Sequence, residues 1–409
     1  MTGRRQFLAA AGLTAAGAAW AVGAGGSAAL AAQRVTRAGA GRAGATTAGR
    51  AATITADRAA VTTADRAAVT TGTGFAVPVD HVEHTRTWMA WPDSVAIWGK
   101  KLLPGAQADI ALIASTIAKY EPVIVCANAA SVAAAQAACG PAVTVIGSIP
   151  VNDCWMRDSG PIFRTNGAGG LDAVGLNFNG WGGKQVHNYD AVVASRVAAY
   201  AAVPFTAAGF VSEGGAIETD GAGTLMATKS SIIEPDRNPG MTQAQLTTAM
   251  CAAYGASEVI WFTGIKNHDI TDDHVDATSR FLNPGAGLVQ LPTPPGATDI
   301  WSKDEDQQYQ VLSASTDAQG NPIMVSIIRG PNYNKIRSTN PEFVGAYANY
   351  YVCNGAVISA QFGDAATDEA AYNALVSLFP GRVIEQLDID ALGDGGGGIH
   401  CVTQQQPVA

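Results

Sequence analysis

The stretch Leu392–Pro407, LGDGGGGIHCVTQQQP, places a single thiol, Cys401, directly after His400 and behind the glycine run Gly395–Gly398. Without a Cβ, glycine lets the backbone take positive φ and approach a ligand closely, so a thiol there reads as presented for chemistry. The plainer alternative is a mobile tail carrying a small buried hydrophobe. Three other segments concentrate polar groups. Asn152–Pro161 holds Arg157 and Asp158 ahead of a Gly-Pro turn, and Glu213 precedes Gly214 and Gly215. The third, Asp269–Asp276, holds Asp273, His274 and Asp276. Read blandly, these are turns, caps and a solvated acidic loop. Read as a strand, the last would point His274 and Asp276 to one face, where they can converge on a ligand. His-x-Asp also suits a divalent ion, but no second His stands at ligand spacing and the thiol would be left without a role.

Taken together, a Cys, a His and several carboxylates suggest covalent catalysis through a thiolate. Two carboxylates beside a thiol raise its pKa. That arrangement makes sense where the substrate brings its own positive charge. A guanidinium fits best, because it is planar, always cationic and matched by carboxylates in bidentate pairs.

Such a set needs a scaffold that gathers distant segments. Alternating patterns predict strands at 85–91, 122–127, 143–146, 176–179, 217–228, 259–262, 278–282, 323–328, 350–359 and 382–387. Helical spacing predicts helices at 104–120, 129–138, 190–201, 242–254, 304–315 and 366–379. The alternation is α/β, and the motif-bearing segments recur about 60–70 residues apart, as copies of one supersecondary unit would. A closed array of ββα-type units would bring their loops to one end of a central axis. The competing Rossmann sheet lacks its G-x-G-x-x-G, and Gly182-Gly183-Lys184 is followed by Gln185 rather than the Ser or Thr of a Walker motif.

The segments TWMAWP (from Thr87), DCWMRDSGPIF (from Asp153), LNFNGWGGK (from Leu176), EGG (from Glu213), ITDDHVDATSRF (from Ile270), YANYYVCNGAVISAQFGD (from Tyr347) and GGGGIHCVTQQQP (from Gly395) occur in this order. From about Val77 to Pro407 the chain resembles the bacterial agmatine deiminase and Porphyromonas-type peptidylarginine deiminase family. The resemblance implies a five-bladed pseudo-symmetric α/β propeller, the pentein fold, with no metal and no organic cofactor. It implies Cys401 as nucleophile, His274 as general acid–base, Asp158 and Asp276 as guanidinium carboxylates and Glu213 as the group orienting His274. It places Trp155 and Trp91 near the substrate. Family members commonly carry Gly where this chain has Asp273, and many carry Asn where it has Gly398. These two positions, with Arg157, are expected to shape what lies beyond the guanidinium. The implied reaction is hydrolysis of agmatine to N-carbamoylputrescine and ammonia; the runner-up is deimination of peptidyl or free arginine, with Arg157 and Arg280 as candidate carboxylate partners. An inactive exported guanidine-binding protein is the alternative of another class.

Of 25 basic and 34 acidic residues in 409, eight arginines and two aspartates lie in residues 1–74, leaving 17 basic against 32 acidic in the remainder. So acidic a body disfavours nucleic acid and suits a small cationic partner. Arg4-Arg5 ahead of Phe7-Leu8, an Ala/Gly-rich stretch and Ala29-Leu30-Ala31 read as a twin-arginine export signal over 1–32. The alternative, an N-terminal membrane anchor, meets a short and glycine-laden apolar run. Export implies an extracellular or cell-envelope protein with no stable membrane association after cleavage. Residues 33–74, with the tandem octapeptide ADRAAVTT, have the composition of a disordered linker, and 75–409 that of a catalytic domain. Six cysteines without CxxC do not make a disulfide scaffold; a Cys126–Cys139 pair is the one conceivable bridge.

Overall fold

A computed structural model describes residues 74–409. The expected export signal at 1–32 and, but for Gly74, the expected linker lie outside the described residues. Among the described residues, sixteen strands form five small sheets. The first sheet contains β1 (His84–Ala90), β2 (Val123–Cys126) and β3 (Val143–Ile146). The second contains β4 (Ile162–Thr165), β5 (Leu171–Gly175) and β6 (Phe205–Ala207). The third contains β7 (Ile217–Thr219), β8 (Thr224–Thr228) and β9 (Glu258–Phe262). The fourth contains β10 (Ser279–Asn283), β11 (Ala286–Leu291) and β12 (Met324–Arg329). The fifth contains β13 (Tyr351–Cys353), β14 (Ala356–Gln361) and β15 (Val383–Asp388). The last strand, β16 (Gln404–Pro407), returns to the first sheet and pairs antiparallel with β1.

One unit repeats. In each sheet the leading strand is antiparallel to the second, which is parallel to the third. Parallel neighbours need a crossover, and a helix supplies it each time: Val95–Ile117, Val193–Tyr200, Gln243–Tyr254, Ile300–Ser313 and Ala365–Leu378. Because β16 supplies the leading strand of the first sheet, the two ends of the domain close into one unit. The repeated units expected from the spacing are present, and there are five.

Local chemistry explains the element ends. The helix Gln243–Tyr254 starts on a reciprocal capping box between Thr242 and Gln245 and stops at Gly255, which is left-handed at φ 69°. The helix expected from residue 104 starts earlier, at Val95, kinks at Gly99, φ 67°, and carries Pro104 inside it. The strand expected at 176–179 lies earlier, as β5, and residues 176–179 form a loop instead. All six cysteines are free thiols, so Cys126 and Cys139 are not bridged. No described helix is long and apolar enough to cross a membrane.

Candidate active site

Each leading strand is entered through a short turn, and the five turns supply the site. Asp158 lies in Met156–Ser159 ahead of β4, and Glu213 precedes the turn Gly214–Ala216 ahead of β7. His274 and Asp276 flank Val275 ahead of β10, Asn349 lies ahead of β13, and Cys401 is in the turn His400–Val402 ahead of β16. The strand expected to carry His274 and Asp276 is therefore a 3-10 turn, Val275–Ala277, with His274 as its N-cap. The turn is forced by Asp272 and Asp273 at φ 60° and 75°. Aspartate tolerates this left-handed conformation better than most residues.

Cys401, His274, Asp158, Asp276, Asn349, Trp155 and Trp181 line one cavity. His274 Nε2 lies 3.3 Å from Glu213 Oε2, and its Nδ1 is 3.7 Å from Asp158 Oδ1. Asp158 Oδ1 accepts the Gly215 N–H at 3.1 Å and Oδ2 accepts Trp181 Nε1–H at 2.9 Å. Asp276 Oδ2 is 3.8 Å from Cys401 Sγ, while its Oδ1 is buried without a hydrogen-bond partner. A buried acceptor left unpaired is costly, and Asp276 is one of the residues that line the cavity. Asn349 Nδ2 faces Cys401 Sγ at 3.3 Å. Gly215 has a specific reason to be glycine: a Cβ would stand 2.8 to 3.0 Å from His274 Nδ1, Asp158 Oδ1 and Asp276 Oδ2.

The electrostatics follow from burial and neighbours. Burial, joined by the charges of Glu213 and Asp276, lifts the Asp158 carboxyl to about 6 against the opposing pull of His274. Burial alone would lower His274, but Asp158 and Glu213 outweigh it and raise it to about 9. Burial, then Asp276 and Asp158, pushes the Cys401 thiol well above its ordinary value. Glu213 stays ionised against its burial because Arg237 donates to it at 2.8 Å, and Arg237 also reaches Asp272 at 2.9 Å. The site thus combines imidazolium, carboxylates and a neutral thiol, a set that a cation would balance.

Four residues expected near the substrate do not line this cavity. Trp91 is core, donating its backbone N–H to Cys126. Arg157 is buried behind the turn that carries Cys401, with Nε 3.4 Å from the His400 carbonyl. Asp273 is fully buried, with Oδ2 accepting the Ile265 N–H. Gly398 abuts Asn349, whose Oδ1 would be 2.5 Å from an added Cβ. Arg280, the other expected carboxylate partner, is locked between Asp80 at 2.6 Å and Glu218 at 2.8 Å. The glycine run itself serves close packing more than unusual torsion. Only Gly396 has positive φ, whereas Cβ atoms on Gly395 and Gly397 would strike Trp98 and Trp155 at 2.3 Å. Trp181, Asn349, Asp269 and Thr271 were not singled out from the sequence. Asn349 had one available signal, its place just before the leading strand of the fifth sheet, as Asp158, Glu213 and His274 stand before those of the second, third and fourth.

Among the described residues, Asp80, Glu218 and His400 are near enough to one another to hold a metal ion. Both carboxylates already bind the Arg280 guanidinium, a fixed cation in the position an ion would take.

The family model for Porphyromonas-type peptidyl-arginine deiminases matches residues 76–407. A Streptomyces coelicolor relative is 36% identical over 342 residues, covering 81% of this chain and 99% of its own. The agmatine deiminase of Stutzerimonas stutzeri is 33% identical over 365 residues, covering 82% and 96%. The solved agmatine deiminase of Enterococcus faecalis superposes with a TM-score of 0.75 at 26% identity, covering 82% of this chain and 96% of its own. The five sheets are the five blades of the pentein propeller that these enzymes share. With four-fifths of its length matched and its site turns at the five blade entrances, the chain belongs to the Porphyromonas-type peptidyl-arginine deiminase family of hydrolases acting on linear amidines.

Proposed function

We propose that the protein is a cysteine-dependent guanidine deiminase whose substrate is agmatine. The observation that carries this reading is the meeting of Cys401, His274, Asp158 and Asp276 on one cavity that, among the described residues, no Arg or Lys lines. Free arginine would bring an α-carboxylate with no cation to receive it. Agmatine ends in an ammonium, and Asp269 on the cavity wall has Oδ1 engaged by Thr271 at 2.8 Å and by the Asp273 N–H, with no bond to Oδ2. The relatives named agmatine deiminase support the same substrate.

The geometry suits a two-stage reaction. The guanidinium is held by Asp158 and Asp276, and its charge offsets the two carboxylates that keep the Cys401 proton in place. That proton leaves to solvent, and the thiolate attacks the guanidinium carbon. The C–N bond breaks as His274 imidazolium gives its proton to the departing nitrogen, releasing ammonia and leaving a cationic thiouronium on Cys401. Neutral His274 then takes a proton from water, the hydroxide adds to the same carbon, and the C–S bond breaks, the proton of the added hydroxyl passing to the departing thiolate, to free the N-substituted urea and the thiol. Glu213 keeps His274 oriented, and Trp155 forms part of the wall along the substrate. No step calls on a metal or an organic cofactor.

The second reading is deimination of peptidyl-arginine, favoured by the description of the family and by the twin-arginine segment at the N-terminus. That segment also supports export to the cell envelope or beyond, which fractionation of the producing cells tests. Ammonia release from agmatine, arginine and a peptide ending in arginine, for wild type and Cys401→Ala, decides the substrate. N-carbamoylputrescine from agmatine alone, absent in the variant, is the expected outcome. Turnover by Cys401→Ala equal to wild type removes both deiminase readings.

A further inference from the structure

Behind Cys401 runs a chain of charged groups, buried but for the partly exposed Asp80. Asp276 Oδ2 lies 2.7 Å from His400 Nδ1, and His400 Nε2 lies 3.1 Å from Asp80 Oδ2. Asp80 is in turn held by Arg280 Nη2 at 2.6 Å and by Gln405 Nε2 at 2.6 Å. Arg280 continues to Glu218, donates to the carbonyls of Ala348 and Tyr350 at 3.1 and 2.8 Å, and stacks 4.7 Å from the Tyr350 ring centroid. The members come from the segment before β1, from β7, from β10 and its entry turn, and from the entry turn of β16 and β16 itself. Asp80 and His400 are 320 positions apart in the chain.

Two features give this chain a direction. Carboxylate oxygens only accept hydrogen bonds, and both ring nitrogens of His400 face them, so each contact is made when the nitrogen carries a proton. Asp276, at the end of the chain, has one oxygen taken by His400 and the other buried and unpartnered. Turning that carboxylate would break a charge-assisted bond, among the stronger polar contacts. We propose that His400, braced by Asp80, is a positioning residue that pins one oxygen of Asp276 and so keeps the other presented to the substrate guanidinium. His400 acts through Asp276 and does not touch the reacting atoms. The inference rests on the deiminase reading above and deepens it, since the bracing network joins the first, third and fourth blades to the carboxylate that receives the substrate.

The test uses the full chain carrying Cys401→Ala, so that agmatine binds without turnover, and reads its Kd by calorimetry. Added singly, His400→Gln and Asp80→Asn each raise Kd about ten- to a hundredfold, the range of a lost charge-assisted hydrogen bond. Asp276→Asn raises it at least as much. In the pair His400→Gln with Asp276→Asn, Kd stays at the Asp276→Asn value, because His400 has nothing left to position. A merely structural role lowers Tm without that non-additivity. Should His400→Gln fail to fold, Asp80→Asn, a near-isosteric change at a partly exposed carboxylate, is paired with Asp276→Asn in its place. Multiplied effects in the pair, or Kd within twofold of the parent in both single variants, overturn the positioning role. A Cys401→Ala parent that binds neither agmatine nor a peptide ending in arginine overturns instead the deiminase reading beneath it.

Discussion

Asn349 holds Cys401 from two sides: its Nδ2 lies 3.3 Å from Cys401 Sγ, and its Oδ1 accepts the His400 N–H at 3.0 Å. The first contact favours the thiolate, because an N–H donor stabilises the charged sulfur more than the neutral one. The second fixes the turn that carries it. Asn349→Leu, similar in volume but without donor or acceptor, is expected to lower kcat about 10–100-fold, the value of a hydrogen bond to a charged group. Steady-state kinetics check it. A kcat unchanged within twofold in a folded Asn349→Leu protein means that the amide plays no part in the chemistry.

The pH dependence follows from two groups raised in the folded site. Asp158 must be ionised to hold a guanidinium, so kcat/KM rises with pH through about 6. His274 must be protonated to release ammonia, so its deprotonation through about 9 ends the rise in kcat/KM that ionisation of the Cys401 thiol would otherwise continue. Stability carries the same sign for His274. Its folded pKa lies above the unfolded value of about 6.5, so its contribution is complete below that pH and lost as pH climbs through about 9. Tm measured across this range is expected to fall less in His274→Gln than in wild type. A kcat/KM profile that is flat from pH 5 to 10 contradicts both assignments.

The resting thiol is expected to be poorly reactive. With Cys401 held protonated by burial and by Asp276 and Asp158, iodoacetamide inactivation is slow at pH 7 and still accelerating beyond pH 9. Asp276→Asn removes one of the two opposing charges and is expected to speed alkylation several-fold at pH 8, although it impairs turnover. A plateau below pH 8 in wild type indicates a preformed thiolate and removes the role given to the substrate's charge.

Gly215→Ala tests how closely the groups converge. The new methyl meets His274, Asp158 and Asp276 within 3.0 Å, so at least one must move. Displacements of this size at a reacting centre cost about 100-fold in kcat/KM, and overpacking costs about 1–3 kcal/mol in stability. Wild-type kcat/KM in Gly215→Ala shows instead that the three groups do not need their observed positions.

Arg237 is a support for the site that carries a stability cost of its own. It is the buried cation between Glu213 and Asp272, so Arg237→Met strands two buried carboxylates. Removing one partner of such a network typically costs about 3–5 kcal/mol, which urea denaturation of the variant resolves. A loss under about 1 kcal/mol shows that Lys184, 2.5 Å from Asp272, and His274 suffice to balance the charges.

The chemistry of this protein is written in short local motifs. Cys401, His274, Asp158, Asp276 and Glu213 stand out because each residue type lies beside glycines or other polar groups at a turn; the cavity unites the first four, and Glu213 reaches it through His274. The elements with strong periodicity were equally legible: the helix Gln243–Tyr254 falls where 242–254 predicts it, and β2 and β3 lie within their predicted strands. Position 273 is legible in retrospect. At φ 75°, a residue that family members commonly keep as glycine is filled by an aspartate able to adopt the same conformation.

What the sequence by itself determined, then, is the repeating unit and the polar groups that meet at the cavity, because each is carried by residue type and near-neighbour spacing. Tertiary structure alone decided which groups surround them. Strand β16 reads as a polar tail of glutamines, yet Gln404–Gln406 are buried against β1, with Gln406 Oε1 accepting Trp88 Nε1–H at 3.0 Å. Arg157 and Arg280 look like substrate ligands on paper and are structural cations in the fold. Trp181 and Asn349 acquire their contacts only when blades far apart in sequence close around one centre. A side chain's partners are set by which strand entrances meet in space, and no local pattern along the chain records that meeting.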